Sequence, residues 1–210
     1  MQLIGMLDSP YVRRVAISLR LLELPFEHRN ISVFRCFEEI RALNPVVKVP
    51  TLVCDDGLVL TESGLILEHL EDLAGRSLWP AGGDEKRRAL RLAGLALAAC
   101  DKSVAIVYER MRSPDKRLEP WLERLLTQAA GGFAALEAEL AARPLATDAA
   151  SLTHAGVAAA VAWRFARLLV PEVSQPQDHP ALDAFAATLE RLPVFVATPP
   201  DENHVATWRR

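Results

Sequence analysis

The chain has 210 residues, half of them hydrophobic and 24% charged, too apolar for a disordered chain and enough for one large or two small domains. A net charge of −3 supplies no general field for nucleic acid or anionic lipid, and the longest apolar run, from Ala155 to Trp163, stops at Arg164, well short of the ~18 residues of a membrane span. The opening Met1-Gln2-Leu3-Ile4 lacks the basic stretch of a secretory signal, so a soluble cytoplasmic protein is expected.

Gln2 to Met6 reads as a short apolar strand ended by Asp8-Ser9-Pro10. Pro10 suits the first turn of a helix, where its missing N–H would be unpaired anyway. Val12, Val15, Ala16, Leu19 and Leu22 follow at helical spacing, with Arg13, Arg14 and Arg20 off that stripe. Pro25-Phe26 ends the helix, Phe26 to Val33 reads as a second strand, and Cys36 to Leu43 as a short helix stopped by Asn44-Pro45. Two β-rich runs, Pro50 to Cys54 and Leu58 to Leu60, flank Asp55-Asp56-Gly57, a hairpin signal. Thr61-Glu62-Ser63 leads into a helical stripe of Ile66, Leu70, Leu73 and Ala74. The order βαβ, helix, ββα makes the first two strands parallel and predicts a four-stranded mixed sheet with helices on its faces.

Residues 75–83 hold three glycines and Pro80 and read as a linker, so the expected domains are 1–75 and 84–210. Strand signals then disappear. A long helix begins at Asp84 and stops at Ser113-Pro114, a second runs from Pro120 to Ala142, and an Ala-rich one from Ser151 to Val170 is apolar almost all round, as a helix buried inside a bundle is. Pro180 to Arg191 is a shorter helix, Pro193 to Ala197 reads as one further turn, and the tail after Pro199 as a surface extension. Cys36, Cys54 and Cys100 form neither a disulfide framework nor a C-x-x-C pair. The five histidines never fall at H-x-x-x-H spacing, so no metal is expected. There is no P-loop, no G-x-G-x-x-G and no G-x-S-x-G.

Three local features remain: Ser9-Pro10-Tyr11-Val12-Arg13-Arg14-Val15, Asn44-Pro45-Val46-Val47-Lys48-Val49-Pro50-Thr51-Leu52, and Leu60-Thr61-Glu62-Ser63-Gly64-Leu65-Ile66-Leu67-Glu68-His69-Leu70. In this order and spacing they resemble the cytosolic glutathione transferase superfamily, in its bacterial serine-type branch. The resemblance implies an α/β thioredoxin-like N-terminal domain that binds glutathione and an all-α C-terminal helical bundle that shapes an electrophile pocket. It implies glutathione as co-substrate with no other cofactor, a small electrophile as second substrate, conjugation in a detoxifying role, and a homodimer.

Residue by residue, Ser9 would donate its O–H to the glutathione thiolate at a helix N-terminus, whose partial positive charge favours an anion; the same serine could instead only cap the helix. Tyr11 lies in the same first turn. The family has a cis proline where Pro50 stands, leaving the backbone of Val49 free to pair with the cysteinyl part of the tripeptide; a trans proline starting a strand is the alternative. Lys48 would approach the glycyl carboxylate, or be a solvated lysine, and Val47 departs from the family's usual glycine. Ser63 would bind the γ-glutamyl carboxylate and Glu62 the ammonium, although both also read as capping chemistry.

On the long helix, Asp101, Tyr108 and Arg112 are further candidates beside the cleft; an exposed or ion-paired Asp101 is the alternative. Ser151-Leu152-Thr153-His154 stands at the place of a Ser/Thr-x-x-Asp capping box with His154 replacing the acid, so a less sharply fixed helix start is expected. Trp163, Phe165, Cys36, Cys54, His28 and His69 read as core or surface residues. Two rival functions remain. A glutathione-dependent thiol oxidoreductase or lyase would usually carry Cys where Ser9 stands. A non-catalytic transferase-like binding module would often have lost Ser9, Pro50, Glu62 and Ser63.

Overall fold

The computed structural model describes residues 1–200, and these divide into two compact units. The first holds Met1–Leu78 together with residues 193–200, and the second holds Trp79–Leu192.

In the first unit the order is β1 (Gln2–Ile4), α1 (Pro10–Leu21), β2 (Glu27–Arg29), α2 (Phe37–Leu43), β3 (Thr51–Val53), β4 (Val59–Thr61) and α3 (Ser63–Ala74). The sheet runs β2-β1-β3-β4, with β1 and β2 parallel and the other pairs antiparallel. Leu3 stands opposite His28 and Leu52, and Leu52 opposite Leu60. Leu3, Ile4 and Leu52 are wholly buried, as strands covered on both faces require. This is the mixed four-stranded sheet expected from the sequence.

The second strand is shorter than the predicted Phe26 to Val33. The Ile31 N–H turns back to the Arg29 carbonyl, and Ser32 Oγ accepts from the N–H groups of Phe34 and Arg35, a serine turn that competes with the ladder. Helix α1 is buried beyond its apolar stripe. Arg20 is exposed, but Arg13 and Arg14, predicted off the stripe, are 2% and 4% exposed. Its C-terminus closes with the Leu24 N–H on the Leu19 carbonyl, with Glu23 left-handed at φ 59°.

The second unit comprises α4 (Gly83–Arg110), α5 (Glu119–Ala142), α6 (His154–Leu169) and α7 (Pro180–Leu189), with single 3₁₀ turns at Pro114–Lys116 and Pro171–Val173. Helix α6 packs on α4 and α7, and every residue from His154 to Trp163 is buried, so its near-continuous apolar sequence is that of a central helix. Trp163 meets Phe133 edge to face and donates its indole N–H to Asp183 at 2.9 Å. Glu137 accepts from the N–H groups of Ala181 and Leu182 and so caps α7 from a neighbouring helix. Helix α5 crosses α4 so closely at Gly132 that a Cβ there would lie 2.8 Å from the Ala99 Cβ.

Three expectations for the helical run are corrected. The Ala-rich helix is capped by Thr153, not Ser151: its Oγ accepts from the Gly156 N–H at 3.3 Å, and His154 is the first helical residue, its ring edge-on to Trp79. The start is therefore capped on one side, and the residue three beyond the cap is Gly156, which has no side chain to return the bond. Arg112 lies beyond α4, whose C-cap is Met111. The turn at Pro193 to Ala197 is α8 (Pro193–Val196), and it packs on α1 within the first unit because Phe195 is wholly buried there and Arg13 binds the segment's backbone. Residues 201–210, most of the expected tail, lie outside the described residues. No helix among the described residues is long and apolar enough to cross a membrane.

Candidate active site

Ser9 is the N-cap of α1, with φ −68° and ψ 120°, and Pro10 follows at the first helical position. Its Oγ accepts from the Val12 N–H at 3.4 Å. A hydroxyl has one proton and two lone pairs, and the cap uses only a lone pair. Among the described residues no acceptor takes the Ser9 proton, so capping and donation to an outside atom do not compete. Ser9 and Tyr11 are both half-buried.

The chain reaches Ser9 past Gly5, at φ 131°, whose missing side chain admits two neighbours. A Cβ there would lie 2.6 Å from Val12 Cγ2 and 2.9 Å from Val49 Cβ. Gly5 thus lies close against both Val12 at the start of α1 and Val49, and the Val49–Pro50 bond is cis. Asn44, buried, organises the loop before it. Its amide nitrogen donates to the Lys48 carbonyl at 3.1 Å and to Thr51 Oγ1 at 2.9 Å, while its oxygen accepts from the Val46 N–H. Thr51 Oγ1 in turn donates to the Lys48 carbonyl at 2.7 Å. Val47, standing for the expected glycine, has φ 51°, a left-handed conformation that a β-branched residue disfavours. The Lys48 side chain is exposed.

Glu62 is the N-cap of α3, at φ 74°. One carboxylate oxygen accepts from the N–H groups of Gly64 and Leu65, at 2.9 and 3.1 Å, and the other accepts from Ser63 Oγ at 3.4 Å. Ser63 is 2% exposed, and Arg14 Nη1 donates to its Oγ at 3.4 Å. The three sequence features therefore meet in one closed path. Ser9 binds Val12, Val12 and Val49 both close on Gly5, Thr61 Oγ1 reaches the Pro50 carbonyl, and Ser63 returns to α1 through Arg14.

Of the second unit's candidates, Asp101 is exposed with Lys102 Nζ at 3.6 Å, Tyr108 is exposed, and Arg112 pairs with Glu109 at 3.1 Å. No described group of three or more His, Cys, Asp or Glu could hold a metal ion. His28 Nε2 donates to the Gly5 carbonyl at 2.7 Å. Cys54 lies 3.6 Å from His69, and burial, with the carboxylates of Asp56 and Asp55, pushes its thiol pKa up, which disfavours a nucleophilic thiolate. Asn44 and Arg14 are the residues sequence reasoning passed over. Asn44 carried a signal, since a buried Asn before Pro is a loop organiser, whereas nothing in the sequence separates Arg14 from a surface arginine.

Residues 3–78 match the family model for the glutathione S-transferase N-terminal domain. A glutathione S-transferase structure from Methylobacterium radiotolerans, solved with glutathione sulfonate, is 30% identical with a TM-score of 0.86, covering 95% of this chain and 94% of its own. The chain belongs to the cytosolic glutathione transferase superfamily. A family member from Pseudomonas fluorescens with bound glutathione is 31% identical at a TM-score of 0.77, covering 95% of this chain and 98% of its own. The uncharacterized GST-like protein YibF of Escherichia coli is 28% identical over 172 residues, 81% of this chain and 85% of that protein. Membership accounts for the first unit as the thioredoxin-like domain and the second as the helical domain of this superfamily.

Proposed function

We propose that this transferase-family chain binds glutathione in its first unit and conjugates the glutathione sulfur to small electrophiles, as a serine-type enzyme. The reading is carried by one observation, the closed path that holds Ser9, Val49 before cis Pro50, and Ser63 together in one compact unit. Bound glutathione or a glutathione derivative in two relatives of 30% and 31% identity supports it.

In this mechanism glutathione lies extended beside Val49, pairing with the free backbone groups there as a short added strand. Ser63 holds the γ-glutamyl carboxylate, Glu62 receives the ammonium on the lone pairs its cap leaves free, and Lys48 faces the glycyl carboxylate. The sulfur sits at the N-terminus of α1. The Ser9 proton and the helix's partial positive charge stabilise the thiolate, so the thiol ionises near neutral pH. The thiolate attacks an electrophilic carbon, the C–S bond forms, and the leaving group departs with its electron pair, or in an addition the carbanion takes a proton from water. Asp101, Tyr108 and Arg112 belong to the unit that supplies the electrophile's surroundings. The assembly is a homodimer.

Calorimetric titration with glutathione, followed by turnover of a reactive aryl halide, tests the proposal. Saturable binding with turnover is expected. Binding without turnover of aryl halide or Michael acceptor, but with reduction of a mixed disulfide, would replace conjugation by thiol exchange. No binding at millimolar glutathione would leave a transferase-like binding module.

A further inference from the structure

Arg14 is a buried cation that joins two helices. It lies in the second turn of α1, near the end where the peptide dipoles already sum to about +0.5 of a charge, and it is 4% exposed. Arg13, beside it, is 2% exposed, and α1 has no acidic residue in its first turn. Arg13 is accounted for by the Thr198 carbonyl, 2.8 Å from its Nε, and by the Phe195 ring beneath its guanidinium. Arg14 instead reaches across to the start of another helix and donates to Ser63 Oγ at 3.4 Å, both residues being buried.

That bond decides what Ser63 can do. A serine hydroxyl has one proton, and a guanidinium only donates, so Arg14 fills a lone pair and turns the proton away from itself. In this structure the proton goes to Glu62 Oε1. A carboxylate arriving at the start of α3 would meet the same proton, with a buried cation one hydroxyl behind it.

We propose that Arg14 is a positioning residue for ligand binding: through Ser63 Oγ it keeps that hydroxyl a donor and sets positive charge behind the carboxylate of the ligand seated at α3. The inference rests on the glutathione reading above, in which that carboxylate is the γ-glutamyl one. Arg14 touches no reacting atom, so it acts on binding and not on the chemical step.

The test compares glutathione with its analogue amidated at the γ-glutamyl α-carboxylate. Both are titrated calorimetrically against wild type, Arg14→Gln, Arg14→Lys, Ser63→Ala and the Arg14→Gln/Ser63→Ala double variant, with kcat and KM measured for glutathione. Arg14→Gln is expected to weaken glutathione roughly ten- to a hundredfold, as loss of support for a charged group does, and to leave the amide within twofold. KM should rise while kcat at saturation stays near wild type. The double variant should be no weaker than the weaker single, because the two residues act through one bond. If Arg14→Gln does not fold, Arg14→Lys decides. Lysine keeps the charge and loses the planar fork, so glutathione should weaken severalfold and the amide not at all. Equal losses for both ligands, additive losses in the double variant, or unchanged glutathione affinity would overturn the proposal. A wild type that binds no glutathione would overturn the glutathione reading, and this one with it.

Discussion

Replacing Ser9 separates two uses of one hydroxyl. As a cap, Oγ accepts from Val12 across 3.4 Å, a long bond at a half-buried position. Ser9→Ala should then cost ~0.5–1 kcal/mol, the low end for cap removal, or roughly 1–4 °C in Tm for a chain of this size. As donor to a thiolate, the same hydroxyl supplies ~1.5–3 kcal/mol, so Ser9→Ala should lower kcat/KM for an aryl halide by roughly ten- to a hundredfold. Ser9→Gly breaks the correlation, because glycine at an N-cap costs only a few tenths of a kcal/mol yet also lacks the proton. Stability should follow Ser, then Thr and Gly, then Ala, whereas activity should fall equally in Gly and Ala and persist in Thr. The pH dependence has a definite sign. Donation to the anion lowers the bound thiol below the ~8.5 of a free thiol, so removing the donor raises it and activity is lost at neutral pH and regained at high pH. Thiolate absorbance of the bound complex against pH, beside thermal denaturation, reads both quantities. A Ser9→Ala variant with wild-type rate and bound-thiol pKa, or Gly and Ala variants whose rates track their stabilities, would refute the donor role.

The neighbouring glycines of α5 should respond with opposite signs in thermal denaturation. Gly132→Ala should destabilise by ~1–3 kcal/mol because its Cβ would lie 2.8 Å from Ala99, whereas Gly131→Ala meets nothing within 4 Å and should gain up to ~1 kcal/mol of helix propensity. Val47→Gly should stabilise by ~0.5–1 kcal/mol, relief of ~1–2 kcal/mol of left-handed strain at φ 51° less the added freedom of the unfolded chain, as measured by urea unfolding. Sedimentation equilibrium should give twice the chain mass of 23.1 kDa; a single-chain mass at micromolar protein would reject the homodimer.

The sheet was legible in the sequence because its signals are local. Pro10, the Asp-Gly turn and the apolar runs each act within a few residues, and the βαβ order then leaves one hand of crossover. What escaped depends on partners distant in sequence. Arg13 and Arg14 fall off the apolar stripe because periodicity measures apolarity, whereas the partners of a buried guanidinium, a carbonyl at Thr198 and a hydroxyl at Ser63 among them, lie far away in sequence. The cap at Thr153 escaped because Ser151 and Thr153 are chemically similar candidates two residues apart, and the choice between them lies outside the local sequence. At the site, Ser9 and Ser63 were named correctly as helix-start hydroxyls, but their joining through Arg14 is tertiary.

The return of residues 193–200 to the first unit bears on how this chain comes off the ribosome. The carbonyl that Arg13 needs, and the ring on which it rests, are synthesised more than a hundred residues after α1. Until then the thioredoxin-like unit lacks the Thr198 carbonyl and the Phe195 ring, two of the contacts that bury this guanidinium, and a hydrogen bond to a charged group is worth ~1.5–3 kcal/mol. An N-terminal unit that folds as it emerges, the usual order, would do so without these contacts. Helix α1, capped by Ser9 and carrying Arg13 one turn on, can make them only after residues 193–200 have been synthesised. A fragment of residues 1–78 that carries 193–200 on a short tether should for the same reason be more stable than one ending at Leu78.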